Sequence, residues 1–397
     1  MPARIAPLCL FRVPAEGRGA AVANRWEGLS LRRTGLRPRS GGHGLMTRTV
    51  VKAEIFLLTV VALGHLLTAA PQATVKRLDG STISPGEIDG TVLRLMRAAE
   101  VTGVGISILN HGRVAYQKAY GFRDTEKKLP LTTDSVMAGA SFTKVAFAYL
   151  VMKLVEERAL DIDKPVESYL PKPLPDYPAY RDLAGDPRYT KITARMLLSH
   201  TSGFPNFRSL NPDLKLNINF EPGSRYAYSG EGMVLLQLVV ETVTKRPLQD
   251  LMQDRVFRPL AMSRTSMVTE DRFVDNWANG YDEWQWSLGH KQRKSADAAG
   301  SMQTTLADFT KFVQAVTEGN GLRRATRGLM LCPQIQIFSN HQFPTLEASA
   351  SEENRSSHCY TEARGNQCPH QTASKSTEPT RNTPLDPKRQ PAKSNLP

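Results

Sequence analysis

The sequence predicts an α+β fold, an antiparallel sheet flanked by a mainly helical region. Three observations predict it. From Pro85 to Ala99, the residues Ile88, Val92, Leu95 and Met96 recur on one helical face. Gly103 to Leu109 is rich in β-branched residues and Val114 to Gly121 alternates. The two runs are joined by Asn110-His111-Gly112-Arg113, which reads as a hairpin. Beyond residue 140 the apolar residues fall mostly at helical spacing.

Taken in order, residues 1–45 are rich in Arg, Gly and Pro and carry no apolar periodicity. They are expected to be a non-native or disordered extension. Residues 46–70 read as an export signal: a short basic start through Lys52, an apolar run from Ile55 to Leu67, then Thr68-Ala69-Ala70. The run is short for a membrane span. Such signals stand at the very start of a chain, so Met46 is the expected first residue. An Arg-rich organellar presequence ahead of a membrane anchor is the rival. The first reading implies an exported, periplasmic or secreted protein that meets the membrane only if the signal stays uncleaved.

Residues 122–138 are polar and read as loop. A helix follows from Ser141 to near Arg158, with Val145, Ala148, Met152 and Val155 as its apolar stripe. Residues 166–190, rich in Pro, Tyr and Asp, read as loop. Ile192 to Leu198 is a short helix stopped by Ser199-His200-Thr201-Ser202-Gly203. Further helices are expected at Glu231–Thr244, Leu248–Val256 and, as the last, Leu306–Val316. Residues 346–397 are polar and poor in apolar side chains, so disorder is expected there. The folded domain is therefore placed at 85–345. No internal repeat is visible.

The formal net charge of +13 is concentrated at the start, where residues 1–52 hold nine Arg and one Lys against Glu16 and Glu27. The central region has no basic stripe with interleaved aromatics, which argues against nucleic acid as a partner. Cys9, Cys332, Cys359 and Cys368 all lie outside residues 85–330, and none has metal-site spacing. No metal and no cofactor is implied, and nothing in the sequence sets an oligomeric state.

The chemistry centres on Gly139-Ala140-Ser141-Phe142-Thr143-Lys144-Val145. Residues three apart share a helical face, so Lys144 is expected to set its amine beside the Ser141 hydroxyl. A serine hydroxyl needs a neighbour that takes its proton or stabilises its alkoxide, and a desolvated lysine can serve. A helix start also places the positive end of the helix dipole near the reacting oxygen. Taken alone, a Ser-x-x-Lys spacing is common.

The surrounding stretches make it specific. Asp134 to Lys144, then Leu197-Leu198-Ser199-His200-Thr201-Ser202-Gly203, then Glu221 to Ser229, then Pro259-Leu260-Ala261-Met262, then Ala298-Ala299-Gly300-Ser301-Met302 stand in one order. Together they resemble the serine β-lactamase and penicillin-binding-protein-like hydrolases, closest to the class C and esterase-like branch. The resemblance covers about residues 85–345 and implies a β-lactamase/transpeptidase-like fold with the C-terminal strands of its sheet absent. It makes Ser141 the acyl-accepting nucleophile, Lys144 its activator and Tyr228 the phenol that shuttles protons. His200 is expected to hydrogen-bond within its own turn rather than to join a Ser-His-Asp triad.

Two departures bear on substrate. Gly230 stands at the substrate-binding third position of the Tyr-x-Asn motif, where an Asn would supply an amide. A third Lys-Thr-Gly or His-x-Gly motif is absent, and Lys375-Ser376-Thr377 in the polar tail is no substitute. The missing strand would supply an oxyanion donor and leaves the hairpin at 103–121 with open edges. A departure of the reading frame or of the gene end from the ancestral one near residue 345 is the expected cause. The implied function is a serine hydrolase acting through an acyl-serine on a small-molecule or peptide substrate, namely a β-lactam, a D-amino-acid peptide or a small ester, with activity impaired by the lost motif. The alternative is a non-catalytic relic or binding protein that keeps the pocket.

Overall fold

The structure, a computed structural model, describes residues 74–337. The expected extension at 1–45, the export signal at 46–70 and the tail at 346–397 lie outside the described residues. The chain divides into two compact units, residues 1–89 and 90–397.

In the first unit, β1 (Val75–Lys76) pairs antiparallel with β2 (Thr82–Ile83). Helix α1 (Pro85–Ala98) then begins, and it continues into the second unit. Its start is a reciprocal cap. The Glu87 N–H donates to Ser84 Oγ at 3.2 Å, and the Ser84 N–H donates to the Glu87 carboxylate at 2.9 Å. Proline fits the first helical turn because its missing N–H has no intrahelical acceptor there.

The second unit opens with the expected hairpin. β3 (Gly103–Asn110) runs antiparallel to β4 (Arg113–Asp124), with Gly103 opposite Gly121 and Asn110 opposite Arg113. Both turn residues are left-handed, His111 at φ 53° and Gly112 at φ 80°, as a tight two-residue hairpin requires. The expected loop at 122–138 is partly strand: β4 runs on to Asp124, β5 (Leu129–Pro130) pairs with it, and β6 is Met137–Ala138. The sheet order is β3-β4-β5. The β4 edge is thus covered, and among the described residues no strand lies beyond β3.

Helix α2 (Phe142–Glu156) forms the centre of the core. Ala146, Phe147, Leu150 and Val151 are fully buried and Leu154 nearly so. This corrects the predicted stripe. Val145 is 45% exposed, and the helix is apolar nearly all round, the signature of a helix enclosed on most sides. It stops at Glu157 and Arg158, the latter at φ 58°.

Residues 166–191 form four 3₁₀ segments rather than open loop, three of them with Pro in the first turn. Then come α3 (Ala194–Leu198), capped by Thr193, and α4 (Gly230–Thr244), capped by Ser229. Helix α5 (Leu248–Met252) passes into one π turn at Gln253–Phe257, which completes the expected 248–256 helix. Leu235, Leu236, Val239 and Val240 of α4 and Leu248, Leu251 and Met252 of α5 share the core with α2.

β7 (Gly280–Tyr281) and β8 (Ser287–Gly289) make a small hairpin, and β9 (Gln303–Thr304) pairs with β6. Helix α6 (Leu306–Glu318) follows, and it is not the last. Residues Arg324–Leu331 form α7, a short helix whose Leu329 and Met330 pack half-buried against the core. Among the described residues no helix is long and apolar enough to cross a membrane.

Candidate active site

Ser141 sits directly ahead of α2, and the backbone that carries it is held from three directions. Gly139 donates its N–H to the Met302 carbonyl at 2.7 Å. A Cβ at Gly139 would lie 2.9 Å from that same carbonyl oxygen, so glycine alone admits the approach of β6 to β9. Ala140 is left-handed at φ 41°, a conformation that costs a residue with a Cβ. Thr143 Oγ1 repays part of that cost by donating to the Ala140 carbonyl at 2.5 Å while accepting the Met302 N–H at 3.0 Å.

Lys144 is buried, and its Nζ donates to Ser141 Oγ at 3.2 Å and to the Ala299 carbonyl at 2.5 Å. The Ala298–Met302 stretch therefore cradles the amine. That stretch is itself ordered by Asp297 and Gln237: the Ala299 N–H donates to Asp297 Oδ1 at 2.6 Å and the Ala298 N–H to Gln237 Oε1 at 2.9 Å. The Lys144 amine also lies over the Tyr228 ring, 4.9 Å from its centroid. The amine thus meets both the alcohol three residues before it and a phenol ring from a distant segment.

Tyr228 precedes α4 and stands against His200. The two rings are tilted by 36° with centroids 4.5 Å apart. The His200 imidazole does not bond within its own turn as expected, although the backbone N–H donates to the Leu197 carbonyl at 3.3 Å. Its Nδ1 accepts the Ser229 N–H at 3.1 Å, reaching across to the segment that carries Tyr228. Burial, and then the charge of Lys144, pull its pKa down from 6.5 to about 4, so the imidazole is neutral near pH 7. Among the described residues no carboxylate is hydrogen-bonded to this imidazole.

Gly230 was expected to contact substrate. The structure gives it another task. Its N–H donates to the Asn206 carbonyl at 3.0 Å and to Asn206 Oδ1 at 3.1 Å, and it is buried. A Cβ there would come within 2.7 Å of the Asn206 oxygen, so Gly230 offers no free group and admits no side chain. Asn206, missed in the sequence, fills the space beside it. It follows directly on the Ser199–Gly203 stretch, and that proximity was the available signal. Glu231 fastens the same loop by accepting from the Arg208 side chain at 2.7 Å.

A shallow, mostly apolar cavity of about 280 Å³ adjoins Lys144, lined by Val145, Ala148 and Met152 of α2, Leu198 and His200 of the α3 stop, and Met330 of α7. Among the described residues no group of three or more His, Cys, Asp or Glu side chains could hold a metal ion.

With this geometry in place, the comparisons are direct. A family model described as Beta-lactamase matches residues 88–341, and the chain belongs to that family. The fold, mixed helix and sheet, is the β-lactamase/transpeptidase fold. The octameric penicillin-binding protein homologue from Pyrococcus abyssi superposes with a TM-score of 0.55 at 24% identity, over 64% of this chain and 61% of that one. A D-aminopeptidase of Brucella anthropi is 29% identical over 185 residues, 45% of this chain and 35% of that protein. Protein flp of Staphylococcus aureus strain MW2 is 25% identical over 214 residues, 50% of this chain and 41% of that protein. The matched part is thus less than half the length of either relative.

Proposed function

We propose that the protein is a serine hydrolase that works through an acyl-serine intermediate on an ester or amide. The observation that carries this reading is the Lys144 amine, 3.2 Å from Ser141 Oγ and over the ring of Tyr228. In acylation, Ser141 Oγ attacks the substrate carbonyl carbon and its proton passes to the Lys144–Tyr228 pair. The tetrahedral intermediate collapses, the bond to the leaving group breaks, and the pair returns the proton to the leaving oxygen or nitrogen. Water then attacks the acyl-serine by the same route in reverse order, releasing the acid and restoring Ser141. The helix start at Ser141 favours the negative charge that develops on the carbonyl oxygen.

The buried Gly230 narrows the substrate. With no side chain and no free N–H at this position, nothing there holds the amide of a β-lactam or peptide, and a small ester is the better fit. The similarity to a D-aminopeptidase keeps D-amino-acid peptides among the substrates to be tried. Export to the periplasm or outside the cell is part of the same reading and rests on residues 46–70.

A second reading has one observation in its favour. Among the described residues the sheet ends at β3, so no further strand flanks the site. A binding protein that is acylated without turnover would fit that arrangement. Incubation with a fluorophosphonate, a fluorescent penicillin and p-nitrophenyl acetate, followed by intact mass, decides between them. A Ser141 adduct that is lost in Ser141→Ala, with released product from the ester, supports the hydrolase. An adduct that persists without product supports the binding protein. Folded protein that takes up no probe rejects both.

A further inference from the structure

We propose that His200 is a positioning residue that clamps Tyr228 against Lys144, and that the clamp holds only while Nδ1 of His200 carries no proton. The inference rests on the acyl-serine reading for its consequence, though not for its geometry.

Three contacts converge on Tyr228 from this one residue. The His200 carbonyl accepts the Ala227 N–H at 2.9 Å, and its Nδ1 accepts the Ser229 N–H at 3.1 Å. Both peptide neighbours of Tyr228 are therefore tied to His200, and its imidazole ring lies against the phenol ring between them. The Lys144 amine lies over the same phenol ring, 4.9 Å from its centroid. Tyr226 closes the edge, its ring meeting His200 at 82° with centroids 5.8 Å apart.

The backbone of His200 is committed to this arrangement. It is left-handed at φ 58°, directly after α3, so the chain turns sharply enough to aim both its carbonyl and its ring at residues 227–229. An N–H can donate to Nδ1 only when that atom offers its lone pair, which places the ring proton on Nε2. Protonating Nδ1 would set two donors against each other and release the Ser229 strut. The groups around the imidazole are Lys144 on α2, Tyr226 and Tyr228 beside it, and Arg195 on α3, which lines the same cavity and is paired with Asp163. Burial disfavours a charge on the imidazole most, and the Lys144 cation acts in the same direction. Imidazole is thus chosen over a permanently charged or permanently apolar side chain because it is a flat ring with a neutral acceptor at the right distance.

The test separates ring from acceptor. His200→Asn keeps a short acceptor and tolerates the left-handed backbone, whereas His200→Phe keeps a flat ring and leaves the Ser229 N–H unpaired. Fluorophosphonate acylation of Ser141 is followed from pH 4 to 8 in the full chain, with thermal melting as the control for folding. Loss of the strut is expected to slow acylation by His200→Phe about tenfold or more at pH 7.5. His200→Asn is expected to acylate faster than His200→Phe and to lose the wild-type fall in rate at acid pH. Wild-type acylation rates in His200→Phe, or an acid fall in His200→Asn that overlays the wild type, overturn the proposal. The Ser229 amide resonance gives a readout without turnover: it is expected to shift as His200 titrates, and a flat response overturns the clamp even if the protein hydrolyses esters. Failure of the wild type to take up any probe would sink the hydrolase reading and leave the amide titration to judge the clamp.

Discussion

Lys144 Nζ reaches the carbonyl of Ala299 at 2.5 Å as well as Ser141 Oγ at 3.2 Å, so the residue meant to serve the nucleophile is anchored by a segment far away in the chain. The anchor fixes where the amine sits, and its position decides which hydroxyl it can serve. Replacing Lys144 by Met keeps the apolar stem and removes the amine. Acylation of Ser141 is expected to fall by about 10²-fold or more, the range of a lost proton-transfer partner. Stopped-flow labelling would show it, and a rate within a factor of a few of wild type would remove Lys144 from the chemistry.

Tyr228→Phe removes one hydroxyl and leaves the ring against His200 and Lys144. Folding should be unaffected, while acylation should drop about 10²-fold. A matching loss of melting temperature would mean that the hydroxyl is structural instead.

Thr143 ties the nucleophile's backbone to the Met302 N–H at 3.0 Å. Thr143→Val is nearly isosteric and leaves that buried N–H unpaired, a cost of about 1–3 kcal/mol. Denaturant unfolding should show the loss, and acylation should slow as Ser141 drifts. Unchanged stability would show that another group takes the N–H.

Gly230→Ala puts a methyl within 2.7 Å of the Asn206 oxygen. The loop at 206 must move or α4 must shift, at about 1–3 kcal/mol for overpacking. Restoring the family's Asn at this position is expected to destabilise further and not to restore an amide contact. A gain of β-lactam acylation in Gly230→Asn would contradict this.

His200 also sets a pH dependence of stability. Its folded pKa is about 4 against an unfolded value near 6.5. Between these values the unfolded chain binds a proton that the folded protein does not. Stability therefore falls as pH drops from about 6.5 to about 4, by an amount on the order of 3 kcal/mol. Urea melts at pH 7 and pH 4.5 should show a difference that shrinks in His200→Asn. A difference of equal size in the variant would assign it to other groups.

The hairpin at 103–121, α2, α4 and the Ser141–Lys144 pair were all legible in the sequence, because each depends on local spacing. Period two and period 3.6 are properties of the chain, and two residues on adjacent turns of one helix must be neighbours. Helix α7 was not legible because it spans only eight residues, too few turns for its apolar face to repeat. The 3₁₀ turns at 166–191 escaped because proline-rich turns and loops share a composition. The apolar stripe predicted for α2 was too narrow: Met152 is buried as expected but Val145 is 45% exposed, since a helix enclosed nearly all round carries apolar residues in every direction.

The sequence by itself determined the family and the pairing of Ser141 with Lys144, because those rest on order and spacing along the chain. Tertiary structure alone decided that Ala299 holds the amine, that the His200 imidazole reaches Ser229 rather than its own turn, and that Asn206 closes the space at Gly230. Each of these is a contact between backbone groups and side chains of distant segments. A peptide carbonyl or N–H is the same in every residue, so no amino-acid letter records which one a side chain will meet.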